Sequence, residues 1–75
     1  MEREQLNRAI EAILFAAGER IEIARLSAVL EEDPADIEQA ADALANIYAY
    51  ERRGMRIIKL EKGYQMVSSG EMADY

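Results

Sequence analysis

An α+β fold of three helices and a C-terminal β-hairpin, in the order of a winged helix-turn-helix, follows from three features of the 75-residue chain. Apolar residues recur at three and four from Leu6 onward, which is the period of a helix with one face on a core. Asp33, Pro34 and Asp36 precede a long alanine-rich run as cap, first-turn proline and first-turn acid. "MRIIKLEKGYQMVS" then reads as two strands of β-branched, aromatic and long apolar residues around a loop.

The first helix runs from Arg3 to Ala17, with Leu6, Ile10, Ile13, Leu14 and Ala17 on its core stripe and Gly18 as its stop. Within it, "EAILFAAGE" is apolar nearly all round. Phe15 lies opposite Leu6 on the helical wheel, so a core on one side cannot cover both. Phe15 is expected inside, enclosed by helices two and three on one side and the hairpin or a short strand at Ile21 on the other. A partner subunit is the other candidate cover. "ARLSAVLE" forms a short second helix with Leu26, Val29 and Leu30 on one face, capped by Glu22 or Ile23. The third helix buries Ile37, Ala40, Ala41, Leu44, Ile47 and Tyr48, and ends with Arg52 and Arg53 before Gly54. A three-residue loop of Glu61, Lys62 and Gly63 would seat Gly63 at positive φ and pair Leu60 with Tyr64 and Ile58 with Met66. That register gathers the bulky side chains on one sheet face.

Composition narrows the function. A chain this short is at most one small domain, which buries only about 60% of its unfolded surface, so covering by a partner would help it. No Cys and no His are present, which removes disulfides, thiolate zinc sites and His-activated nucleophiles. The net charge of −6 repels phosphate backbones and anionic lipid. Apolar runs fall short of the roughly 20 residues that span a bilayer, and "MEREQLNR" is unlike a signal peptide, so a soluble intracellular chain is expected.

Candidate sites are few. Glu31, Glu32, Asp33 and Asp36 lack calcium-loop spacing and read as helix capping. No phosphate-cradling glycine loop exists, and neither an enzyme nor a cofactor is expected. Arg52, Arg53, Arg56, Lys59 and Lys62 form the one basic concentration, which could touch a phosphate backbone but reads better as a solvated strand face with helix-end charges.

The third helix would enter the major groove in a DNA reader. Its outward positions are expected to be Asp36, Glu38, Gln39, Asp42, Ala43 and Asn46, with no basic residue from Pro34 to Tyr50, the reverse of what counterion release rewards. The alternative, a DNA-binding winged-helix regulator, would have an unusually acidic recognition helix. Small residues beside an aromatic instead make Tyr50, Ala43, Asn46 and Ala49 a candidate protein interface.

The stretch "AIEAILFAAGERIEIARLSAVLEEDPADIEQAADAL" followed by "GMRIIKLEKGYQMVSS" resembles the N-terminal winged-helix domain of the bacterial segregation and condensation protein B family, over essentially the whole chain. "EAILFAAGE" and "GYQMV" are its most specific parts. Arg20 and Glu22 replace the usual proline and hydroxyl residue after "GE". The resemblance implies two tandem winged-helix domains, a homodimer formed largely through the first, and binding to the ScpA-like kleisin subunit of a structural-maintenance-of-chromosomes (SMC) complex. It further implies a cytoplasmic role in chromosome condensation and partition, with no DNA reading by the wing. Independently, Ser68 three residues before Glu71 has the pattern of a capping box. Residues 1–67 are thus expected to form the winged helix, and 68–75 to begin a linker helix toward a second domain.

Overall fold

The computed structural model describes residues 1–51 and 54–68. Its elements are α1 (Arg3–Ala17), β1 (Ile21–Glu22), α2 (Ile23–Leu30), α3 (Pro34–Tyr50), β2 (Met55–Leu60) and β3 (Gly63–Ser68). The strands form one antiparallel sheet in the order β1-β3-β2. This is a winged helix-turn-helix with the hairpin as wing.

Local chemistry sets the helix ends. The Glu2 amide donates to Gln5 Oε1 at 3.3 Å at the start of α1. Gly18 ends that helix at φ 64, its N–H bonded to the Leu14 carbonyl, a conformation nearly free of cost for glycine. Glu22 caps α2, and Glu31 closes it in the left-handed region at φ 55. There Ser27 Oγ donates to the Glu32 carbonyl at 2.5 Å. Asp33 and Pro34 open α3 as cap and first residue.

Leu6, Ile10 and Leu14 of α1 and Leu26 of α2 are buried. They meet Ile37, Ala40, Ala41, Leu44 and Tyr48 of α3, and Ile57, Tyr64 and Met66 of the hairpin, in one cluster. Ile13 and Leu30 are half-buried against it.

The hairpin corrects the expected register. Glu61 and Lys62 make a two-residue turn that pairs Leu60 with Gly63, Ile58 with Gln65 and Ile57 with Met66. Lys62, not Gly63, takes the positive φ, at 59°. Gly63 is needed for a different reason. It sits in the middle strand beside Glu22 of β1, and a Cβ there would lie 2.7 Å from the Ile21 carbonyl oxygen. Ile23 N–H also bonds the Lys62 carbonyl at 2.8 Å, holding the α1–α2 connection on the wing. With strand residues alternating between faces, Ile57 faces the core with Tyr64 and Met66. Ile58 and Leu60, expected in the core, are half-buried on the other face.

Two further core expectations are corrected. Phe15 is 70% exposed and Ile47 is 40% exposed. The core closes on α1 along a single stripe, and the hairpin approaches the Phe15 side without covering it. Ser68 ends β3, and Glu71 of the expected capping box and residues 69–75 of the expected linker helix lie outside the described residues, as do Arg52 and Arg53.

Candidate protein-interaction surface

Among the described residues, no group of three or more Asp or Glu side chains could hold a metal ion, and no helix is long and apolar enough to cross a membrane. Exposed apolar side chains, in contrast, collect in distinct places.

On α3 the sequence-predicted interface residues Ala43, Asn46, Ala49 and Tyr50 are all exposed, Tyr50 at 89%. At roughly 100° per residue, Ala43, Asn46 and Tyr50 share one face and Ile47 adjoins it. Ala49 lies about 120° round the helix from Ala43 and does not join them.

A second place lies at the meeting of α1, α3 and the hairpin. Arg8, Glu11, Ala12 and Phe15 line one wall of an open groove of about 310 Å³, and Tyr48, Met55 and Met66 line the other. The Tyr48 hydroxyl donates to Glu11 Oε2 across it. A third lies between α1 and α2, where Ala16, Ala17, Ile21 and the 60% exposed Val29 border a groove of about 480 Å³. Periodicity could not separate the Phe15 groove from the core, because an apolar residue beside a core stripe looks the same whether the next element covers it or stops short.

Two acids of α3, Glu38 and Asp42, have partners on the wing. Lys59 Nζ lies 2.8 Å from Glu38 Oε2 and 3.4 Å from Asp42 Oδ2, and 5.9 Å from the centroid of the Tyr64 ring. Tyr64 Oη donates to Asp42 Oδ1 at 2.5 Å. Hydrogen bonding to Glu38 raises the Lys59 pKa. Burial, followed by the bond to Asp42, raises that of Tyr64. Glu38 and Asp42, expected to point outward, are half-buried and tied to the wing, and Asp36 is half-buried in the first turn of α3. The exposed positions Ala35, Gln39, Ala43, Asn46 and Ile47 are neutral, with Asp36 half-buried among them in the first turn. The described residues of the basic concentration are dispersed too: alternation along β2 places Arg56 and Lys59 on opposite faces, and Lys62 is in the turn. Neither arrangement is a surface for phosphates.

Comparison with known proteins identifies the family. The family model for segregation and condensation complex subunit ScpB matches residues 8–75. Segregation and condensation protein B of Moorella thermoacetica is 38% identical over 72 residues, covering 96% of this chain and 37% of that protein. The chain thus spans less than half the length of this curated relative. A crystal structure described as a dimer of the ScpB N-terminal domain complexed with an ScpA peptide superposes with a TM-score of 0.82 at 25% identity, covering 91% of this chain and 85% of that one. ScpB from Mycobacterium tuberculosis shares the fold, with a TM-score of 0.85 at 18% identity over 91% of this chain and 42% of that one. A winged helix with no basic residue on α3, matched along nearly its whole length by one family, belongs to the segregation and condensation complex subunit ScpB family.

Proposed function

We propose that this domain is a protein–protein interaction module of a chromosome segregation and condensation protein. It self-associates and offers a further surface to the ScpA-like kleisin subunit of an SMC complex, in the bacterial cytoplasm and without catalysis. One observation carries the reading: the likeness to a solved ScpB N-terminal domain that is itself a dimer with an ScpA peptide. The absence of a basic face on α3 agrees with it, since a module that works through proteins has no need to neutralise phosphates. In this reading Ala43, Asn46 and Tyr50, with Ile47 beside them, belong to the contact surface, and Ala49 lies at its margin. In the same reading the chain leads on from β3 toward a second winged-helix domain.

Sedimentation equilibrium over low to high micromolar concentration tests self-association, with the mass expected to rise from 8.5 kDa toward twice that value. Calorimetric titration with the ScpA subunit of the same bacterium tests the second contact, with saturable binding expected. A chain that stays monomeric and shows no heat of binding overturns the proposal.

A further inference from the structure

We infer that the second copy docks on the Phe15 face, with α1 meeting its own copy in antiparallel fashion about a two-fold axis beside Ala12. The inference rests on the self-association proposed above and assigns it a place.

The lining of the groove has the composition of an interface core. Arg8, Phe15, Tyr48, Met55 and Met66 are of the residue types enriched at such cores, and no lysine borders it. Its one carboxylate, Glu11, already accepts the Tyr48 hydroxyl, so covering it does not leave that acid without a donor. The opposite wall is built from three elements, α3, β2 and β3, which gives Phe15 a fixed neighbourhood.

Self-complementarity points to a copy of the same chain. Arg8 and Phe15 lie seven residues apart, about two turns or 10 Å along α1, and the midpoint between them falls beside Ala12. A two-fold axis there sets Arg8 of each copy over the Phe15 ring of the other, a cation against an aromatic face. The small Ala12 stands where the two helices approach most closely. Arg8 is held only loosely within its own chain: Glu4 is 3.8 Å away, with both side chains more than three-quarters exposed. Two copies of net charge −6 repel one another overall, and here the charges of Arg8 and Glu11 balance. The relative that forms a dimer has 85% of its chain within the superposed region, so a contact made by this part of the fold suffices.

The absence of cysteine permits a direct test. Single-cysteine chains Ala12→Cys and Ala43→Cys are oxidised at a concentration where the unmodified chain is dimeric, and Phe15→Glu is studied beside them by sedimentation and circular dichroism. Ala12→Cys should form a disulfide-linked dimer and Ala43→Cys should not. Phe15→Glu, at an exposed position, should keep native circular dichroism while weakening self-association at least about 30-fold, the loss of one anchoring residue. A dimer that survives Phe15→Glu, or that cross-links through Ala43→Cys, overturns this placement and leaves self-association standing. So does Phe15→Glu that abolishes ScpA binding and spares the dimer, since the groove then belongs to ScpA. A wild-type chain that is monomeric throughout overturns the reading beneath it as well.

Discussion

Lys59 on β2 reaches past its cross-strand partner Tyr64 to place its ammonium 2.8 Å from the Glu38 carboxylate on α3. With the Tyr64–Asp42 hydrogen bond, this joins wing and third helix through one polar cluster at the rim of the core. Both Lys59 and Tyr64 hold their protons more tightly in the folded state than at their ordinary values of 10.5 and 10.0. A raised folded-state pKa contributes stability that is complete below the unfolded value and is lost as the pH rises beyond it. The urea midpoint should therefore be level between pH 7 and 9 and fall above about pH 10. Tyr64→Phe should give a shallower alkaline limb. An equally steep limb in that variant would locate the effect elsewhere.

Gly63→Ala should destabilise the domain by about 1 to 3 kcal/mol, the usual range for forcing atoms into filled space. The added methyl would meet backbone rather than a side chain able to turn aside, since its nearest neighbour is the Ile21 carbonyl oxygen. Chemical denaturation beside wild type measures the loss. A neutral result would mean that β1 can separate from β3 without consequence.

Neighbouring residues of α1 should behave in opposite ways. Leu14→Ala removes a fully buried side chain and should cost about 2 to 5 kcal/mol. Phe15→Ala, measured at a concentration low enough for monomers, should change stability by no more than about 0.5 kcal/mol, as at other exposed positions. A core-sized loss at Phe15 in dilute monomer would contradict its exposure.

Mixed-sequence duplex DNA should show no saturable binding by fluorescence anisotropy at roughly 50 mM salt, a condition that favours contacts from basic patches. The motive is the lack of any basic residue on α3 together with a net charge of −6. Binding that is lost in Arg52→Ala with Arg53→Ala would restore the regulator reading.

Signals confined to neighbouring residues were legible. Asp33 and Pro34 announce the start of α3, Gly18 the end of α1, and Leu6, Ile10 and Leu14 form a stripe whose partners need not be known. Hairpin register depended on something distant. Gly63 read as a turn glycine because turns are where glycine is commonest, while its neighbour across the sheet is the Ile21 carbonyl, some forty residues earlier. Phe15 failed for a related reason. Its wheel position correctly placed it off the main stripe, but whether the wing closes over it depends on how far β2 and β3 extend, and no local pattern encodes that. Glu38 and Asp42 looked like an outward acidic face because their cation, Lys59, lies on another element.

The middle strand of the sheet, β3, is also the last element made among the described residues. A chain emerging from the ribosome releases α1, β1, α2 and α3 while Tyr64 and Met66, both buried in the finished core, are still to come. Until then the apolar stripes of the helices have no floor, and β1 has no strand to pair with. Folding during synthesis should therefore be postponed to the closing residues of the wing rather than proceed helix by helix. The unfinished intermediate would leave apolar side chains such as Leu14 and Tyr48 without the hairpin side of their core, and translational pausing upstream of β3 would prolong that exposure.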